Sequence, residues 1–180
     1  DRPAAIASAP AGPIASWGAG VADYANAMHQ LLLLRHARPA SDDATLPDHA
    51  RPLNAQGREE AAALRDAMRI LGLVPDVVLV SSALRTRQTL AALEPWEDRP
   101  IVEPLDALYL APPGRMLAVL REVAETARSV LLIGHNPGLH ELAVQLAGDQ
   151  AILGDDPASS ALAEGYPTGT LAEFSVPGPW

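Results

Sequence analysis

The sequence predicts an α/β domain of three layers, with helices on both faces of a mostly parallel central sheet. Two observations carry that prediction. From Gln30 onward, short apolar runs alternate with longer segments of helical period. The runs are apolar throughout, not at every second residue, which is the pattern of strands covered on both faces. Strands that alternate with helices pair in parallel through right-handed crossovers, and ligands of such sheets bind beyond the carboxyl ends of the strands.

Residues 1–27 stand apart from this alternation. They hold only Asp1, Arg2 and Asp23 as charged residues among Ala, Gly and Pro, and show no sustained period. Pro3, Pro10 and Pro13 with Gly12, Gly18 and Gly20 interrupt the apolar stretch that a secretory signal requires. The first methionine is Met28, directly before the first apolar run. The expectation is an N-terminal extension over 1–27, of upstream or appended origin, followed by one domain over 28–180. If the extension is ordered, Ile14, Trp17, Val21 and Tyr24 would pack it on a neighbouring surface.

Gln30–Leu34 reads as a buried strand that ends in Arg35-His36. Gly57–Leu71 sets Ala61, Leu64, Ala67, Met68 and Leu71 at helical spacing, and Gly72 stops it. Asp76–Val80 is a second buried strand, and Ala83–Leu93 a helix that stops near Pro95. Ile101–Val102 reads as a short strand. Gly114–Ala127 carries Met116, Val119, Leu120 and Val123 at helical spacing. Ser129–Ile133 is a third buried strand, followed by a helix through Leu139, Leu142, Ala143, Leu146 and Ala147. Asp149–Thr168, with Gly154, Pro157, Gly165 and Pro167, reads as loop, and Thr170–Val176 as the last strand. No repeat of solenoid length is visible.

Composition narrows the function. The 180 residues suffice for one domain with an ordinary core. Thirteen Lys and Arg against 22 Asp and Glu give a net charge of −9, which disfavours nucleic acid or an anionic membrane as partner. The four leucines of Gln30–Leu34 fall far short of the roughly 18 apolar residues of a membrane helix. The absence of cysteine excludes disulfides, thiolate catalysis and Cys-ligated metal sites.

Three segments lie where a strand has just ended: Leu34-Arg35-His36-Ala37-Arg38-Pro39, Ser81 to Thr89, and Gly134-His135-Asn136-Pro137-Gly138. Each puts Arg or His at the same edge of the sheet. Guanidinium groups offer paired donors to phosphate oxygens, and a neutral imidazole can attack phosphorus to give a covalent intermediate. A helix starting near Gly138 would aim backbone N–H groups at a bound anion. Any one of these segments alone reads as an ordinary surface pair or turn; three in chain order at one edge do not.

Leu31–Arg38, Ser81–Leu90 and Leu131–His140 resemble the three signatures of the histidine phosphatase superfamily, whose fold is phosphoglycerate mutase-like. The small size without a cap insertion is similar to the SixA branch of phosphohistidine phosphatases. So are Arg51-Pro52-Leu53-Asn54 leading to Gly57, Leu108-Tyr109-Leu110-Ala111, and Pro167-Thr168. The resemblance runs from about Met28 to about Val176. It implies that His36 is the nucleophile, that Arg35 and Arg85 hold the phosphoryl oxygens, that His135 completes the pocket, and that Arg51 is a further phosphate ligand. Arg38 and Arg87 are expected on the surface, with Arg87 two helical residues from Arg85 and so facing elsewhere.

Larger members of the superfamily carry a glutamate as general acid after the second motif. Here no acid matches it, and Glu103, Asp106 and Asp48 are the candidates. That gap fits a phosphoramidate substrate, whose imidazole leaving group needs less help than an alkoxide. The implied activity is metal-independent and cofactor-free phosphatase chemistry in the cytoplasm, most directly on phosphohistidine of a protein. Its partners would be a phosphorylated protein or a small phosphorylated metabolite, with no nucleic acid or membrane and the oligomeric state open. A small-molecule phosphomonoester phosphatase is the alternative within enzymes; a non-catalytic phosphate- or phosphoprotein-binding module is the alternative outside them. Other motifs do not compete. Gly18-Ala19-Gly20 lacks the third glycine of a dinucleotide site, no P-loop is present, and His135 and His140 are too far apart for a helical zinc pair. Ser81 and Ser82 lack the Gly-x-Ser-x-Gly elbow and are expected to cap the helix that carries Arg85. His29 and His49 read as exposed or structural.

Overall fold

The computed structural model describes residues 6–10, 28–41, 45–148 and 157–180. The strands are β1 (Ile6–Pro10), β2 (Met28–Arg35), β3 (Val77–Ser81), β4 (Ile101–Leu105), β5 (Ser129–Gly134) and β6 (Leu171–Pro177). They form one six-stranded sheet in the order β1-β6-β2-β5-β3-β4. β2, β5, β3 and β4 are mutually parallel; β6 runs antiparallel to β2, and β1 parallel to β6. The helices are α1 (Ala55–Ile70), α2 (Leu84–Leu93), α3 (Pro113–Leu120), α4 (Gly138–Ala147) and α5 (Pro157–Glu164).

The unbroken apolar runs are explained by the two faces of the sheet. Leu31, Leu33, Val77, Leu79, Val130 and Leu132 face one core, shared with Met116, Leu120, Leu139, Leu142 and Leu162 of α3, α4 and α5. Leu32, Leu34, Val78, Val80, Leu131 and Ile133 face the other, with Leu64 and Met68 of α1 and Leu90 and Leu93 of α2. Alternate residues of one strand thus enter opposite cores, and both sets are apolar because both faces are covered.

Differences from the sequence reading lie at the edges. α5 occupies part of the stretch read as loop; its eight residues are too few, and too rich in Ala and Ser, to display a period, although Ser159 and Leu162 are buried. β4 extends to Leu105 through Pro104, which an outer strand accommodates. α3 ends at Leu120 in place of Ala127. β1 falls in the segment that shows no period, and it joins the sheet at the far side of β6. The side chains of Ile14, Trp17, Val21 and Tyr24, expected to anchor the extension, lie outside the described residues, as do residues 149–156 of the stretch read as loop.

Two glycines bring loops against helices near the carboxyl edge of the sheet. α1 is capped by Asn54, whose Oδ1 accepts from Gly57 N at 2.7 Å, and a Cβ on Gly57 would collide with the Arg38 carbonyl. A Cβ on Gly138 would likewise strike the Ala111 carbonyl, so α4 starts directly against the segment that follows β4. No helix among the described residues is long and apolar enough to cross a membrane.

Candidate active site

Parallel pairing of adjacent strands puts the ends of β2, β5 and β3 side by side. Arg35 is opposite Gly134, and Ile133 opposite Val80, so the next residues, His36, His135 and Ser81, emerge together. The first turn of α2 adds Arg85 over them.

His36 is buried, at 5% exposure. Its Nδ1 lies 2.8 Å from the Ala37 carbonyl, which can only accept, so Nδ1 carries the proton and Nε2 keeps its lone pair. Arg85 Nε donates to that Nε2 at 3.3 Å. Burial first, and then the positive charges of Arg85, Arg35 and Arg51, push the imidazole down to about 4 against the opposing Ala37 hydrogen bond. The ring is therefore neutral at working pH, the form in which imidazole is a nucleophile.

His135 is equally sequestered. Arg85 Nη2 donates to its Nδ1 at 3.3 Å, so its proton resides on Nε2 and is donated to Ser81 Oγ at 2.7 Å. Burial, then His36 and Arg85, push it down to about 3. The two rings lie 5.2 Å apart between centroids.

Arg85 itself is 4% exposed and ties both histidines to Asp48. Beyond the two histidines, its Nη1 donates to the Asp48 carbonyl at 2.7 Å and its Nη2 to Asp48 Oδ2 at 3.0 Å. Asp48 begins a 3-10 turn, Asp48–Ala50, and also accepts from Arg51 Nη1 at 3.0 Å and from the Tyr109 hydroxyl at 2.6 Å. These donors, Tyr109 foremost, hold its carboxyl well below the usual carboxylate range, while the same hydrogen bond pushes the Tyr109 hydroxyl up. Arg51 Nη2 donates in addition to the Ala40 carbonyl at 2.7 Å.

Arg35 donates through Nη1 to the Tyr166 carbonyl at 2.7 Å, and its buried Nε has no protein partner. Burial and the nearby Arg85 lower its pKa. Asn136 shares the Tyr166 carbonyl through Nδ2 at 2.8 Å. Three guanidinium groups and one carboxylate thus meet around two neutral imidazoles, an excess of positive charge inside a chain of net charge −9. That arrangement can take a doubly charged tetrahedral anion.

Of the sequence-derived site residues, Arg35, His36, Arg51, Arg85, His135 and Asp48 come together. Glu103, on the outer strand β4, and Asp106, at the start of the 3-10 turn Asp106–Leu108, are exposed and make no side-chain hydrogen bond or ion pair to these residues. Arg87 is exposed, and Arg38 forms a surface ion pair with Glu60 at 3.2 Å. The expected serine caps are corrected. Ala83 is the N-cap of α2 with no side-chain bond, because Ser81 Oγ is turned to His135 and Ser82 Oγ to His49 Nε2 at 2.9 Å.

Tyr109 is the residue that sequence reasoning did not assign to the site. Its ring stands edge-on to His135 at 5.5 Å and to His49 at 4.9 Å, and the Arg85 guanidinium lies 6.0 Å from its centroid. The following Leu110 has φ of +48°, an unusual conformation for leucine that turns the chain back toward α3. The signal available was the Leu-Tyr-Leu-Ala segment, which carries no periodicity.

The family model described as the histidine phosphatase superfamily (branch 1) matches residues 31–106. An uncharacterised protein of Mycobacterium tuberculosis, Rv1276c, is 35% identical over 148 residues, which are 82% of this chain and 89% of that protein. A solved structure from Nakamurella multipartitia, assigned as a phosphohistidine phosphatase SixA, is 33% identical with a TM-score of 0.71, covering 84% of this chain and 86% of that one. A SixA protein histidine phosphatase complexed with tungstate is 30% identical with a TM-score of 0.58, over 64% of this chain and 74% of its own. The chain belongs to the histidine phosphatase superfamily, SixA type, and is a histidine-nucleophile phosphatase of phosphoglycerate mutase-like fold.

Proposed function

We propose that this protein dephosphorylates phosphohistidine on a protein, through a phosphoryl group carried on His36 and without a metal ion. The observation that carries the reading is the His36 ring: neutral, buried, with its Nδ1 proton tied to Ala37 and its Nε2 lone pair met only by a guanidinium N–H. A phosphoryl group entering between Nε2 and Arg85 takes over that donor. Arg35, with its spare Nε, and Arg51 bind the remaining oxygens, and His135, which accepts from Arg85 Nη2, holds that guanidinium toward the charge that develops during transfer. His36 Nε2 attacks phosphorus, the bond to the leaving nitrogen breaks, and water later cleaves the phosphohistidine intermediate. Three arginines supply the charge that a metal would otherwise bring, which is the basis for expecting metal independence. In this reading the enzyme works in cytoplasmic signal transduction.

The test is hydrolysis of p-nitrophenyl phosphate and of a histidine-phosphorylated protein by the wild type and by His36→Ala, with and without EDTA. Acid-labile 32P retained on the wild type, absent from His36→Ala and indifferent to EDTA, is the expected outcome. Retained activity in His36→Ala, or loss with EDTA, overturns the mechanism. A panel of sugar and nucleoside phosphates decides between a protein and a small-molecule substrate. Single-turnover measurement separates either from a binding module.

A further inference from the structure

We propose that His49 is the proton donor to the leaving group, an assignment that rests on the phosphatase reading above. Departure of an alkoxide, a phenolate or an imidazole ring requires a proton source on the open side of the phosphoryl pocket, and the described candidate carboxyl groups, Asp48, Glu103 and Asp106, do not provide one. Asp48 is held as a carboxylate by Tyr109, Arg51 and Arg85. Glu103 and Asp106 make no side-chain hydrogen bond or ion pair to a site residue. The Tyr109 hydroxyl is committed to Asp48 Oδ2 at 2.6 Å. The buried imidazoles are committed as well, His36 to attack and His135 to Arg85 and Ser81.

Among the described residues, His49 is the remaining titratable group at the mouth. It follows Asp48 in the 3-10 turn that Arg85 grips through the Asp48 carbonyl, so its backbone is tied to the same guanidinium that faces His36. Ser82 Oγ fixes its Nε2 at 2.9 Å, and the Tyr109 ring supports it edge-on at 4.9 Å. Its Nδ1 has no partner among the described residues, and the side chain is exposed. A fixed imidazole with one uncommitted nitrogen on the rim fits a proton donor, and it fits a phosphorylated imidazole in particular. There the proton belongs on the ring nitrogen that is not bound to phosphorus, on the side away from His36.

The step balances. Protonated His49 gives its Nδ1 proton to that far nitrogen as His36 Nε2 forms a bond to phosphorus. The old P–N bond breaks, its electron pair stays on the departing ring, and neutral imidazole leaves. When water attacks phospho-His36, neutral His49 takes a proton from the water, and the electron pair of the broken N–P bond returns to Nε2.

The experiment compares wild type with His49→Gln and His49→Ala on p-nitrophenyl phosphate, phenyl phosphate and phosphoimidazole. Both variants replace an exposed side chain, and unchanged thermal midpoints verify their folding. p-Nitrophenolate departs with little need of a proton, so its kcat/KM, which reports transfer to His36 and not the hydrolysis step common to all substrates, falls about 3-fold, whereas kcat/KM on phenyl phosphate and phosphoimidazole falls about 100-fold or more. An equal loss on all three substrates, or no loss on any, overturns the assignment to His49 and leaves the phosphatase reading standing. A wild type that turns over none of the three overturns both.

Discussion

The two ends of the sheet each hold buried histidine, and they put it to opposite uses. At the amino edge, His29 is 1% exposed; its Nδ1 donates to the Gly178 carbonyl at 2.7 Å, its Nε2 faces Glu125, and its ring packs on Trp180 at 4.7 Å. Every polar neighbour there is an acceptor, so the ring serves as a donor that fastens the C-terminal residues to β2. At the carboxyl edge, His36 and His135 each meet an Arg85 N–H, and each keeps a lone pair turned inward. Burial is alike in both places; the sign of the neighbours separates a fastening from the proposed nucleophile and its partner. Among described residues, the amino edge brings no arginine against its histidine.

This contrast is sharpest in paired substitutions. His36→Ala is expected to lower kcat/KM by more than about 10⁴-fold with little change in thermal midpoint. His29→Ala should leave kcat/KM within about 2-fold and cost on the order of 2 kcal/mol of stability, from the orphaned Gly178 carbonyl and lost packing on Trp180. Urea titration and steady-state kinetics on both variants check the pair. Reversed effects would break the comparison.

Next in size is Arg85→Lys, which keeps a charge but loses the planar fork that reaches both rings and Asp48. A 10²- to 10³-fold fall in kcat, roughly the value of one oriented donor to transition-state charge, is expected.

The pH dependence follows from the depressed imidazoles. Their unfolded value is 6.5, and in the folded chain they lie at about 4 for His36 and about 3 for His135. Between those limits the unfolded chain binds more protons, so the stabilisation is complete above pH 6.5 and declines as pH falls toward the folded values. For His36 the span is on the order of 3 kcal/mol. Denaturant midpoints measured from pH 7.5 to 4.5 should fall steadily, while NMR titration of the ligand-free protein should find the His36 ring still neutral at pH 5.5. A midpoint near 6.5 for that ring would contradict the geometry.

The smallest effect belongs to Tyr109→Phe. It removes one of three donors to a half-exposed carboxylate, so stability should change by less than about 1 kcal/mol. Activity should fall about 10-fold or less, through looser placement of Asp48 and the arginines it holds. Thermal melts and kcat/KM measured together report both.

Much of this molecule was legible in its sequence, for a physical reason. A strand buried on two faces must be apolar at every position, so β2, β3 and β5 announce themselves, and the residue after such a run marks the reactive edge. Arg35, His36, Arg85 and His135, which the fold gathers at that edge, were picked out that way, and the roles proposed for them rest on the family resemblance. The residues found less well depend on contacts distant in sequence. Tyr109 reaches the site across 61 residues to Asp48, and Ser81 across 54 to His135. No local pattern encodes either pairing. β4, exposed, and α5, half-exposed, are short and lack the periodicity that burial imposes, and the role of β1 depends on a partner strand at the other end of the chain.

Arg85 donates to His36, to His135 and to both the carbonyl and the carboxylate of Asp48. Energies assigned to those residues singly will therefore not sum. Once the guanidinium is gone, replacing His135 or Asp48 removes a contact already lost, and a double-mutant cycle through Arg85 should return a large coupling for each partner. Only the cycle, and not a scan of single substitutions, can apportion the contribution of this edge, because four of its contacts are carried by one side chain.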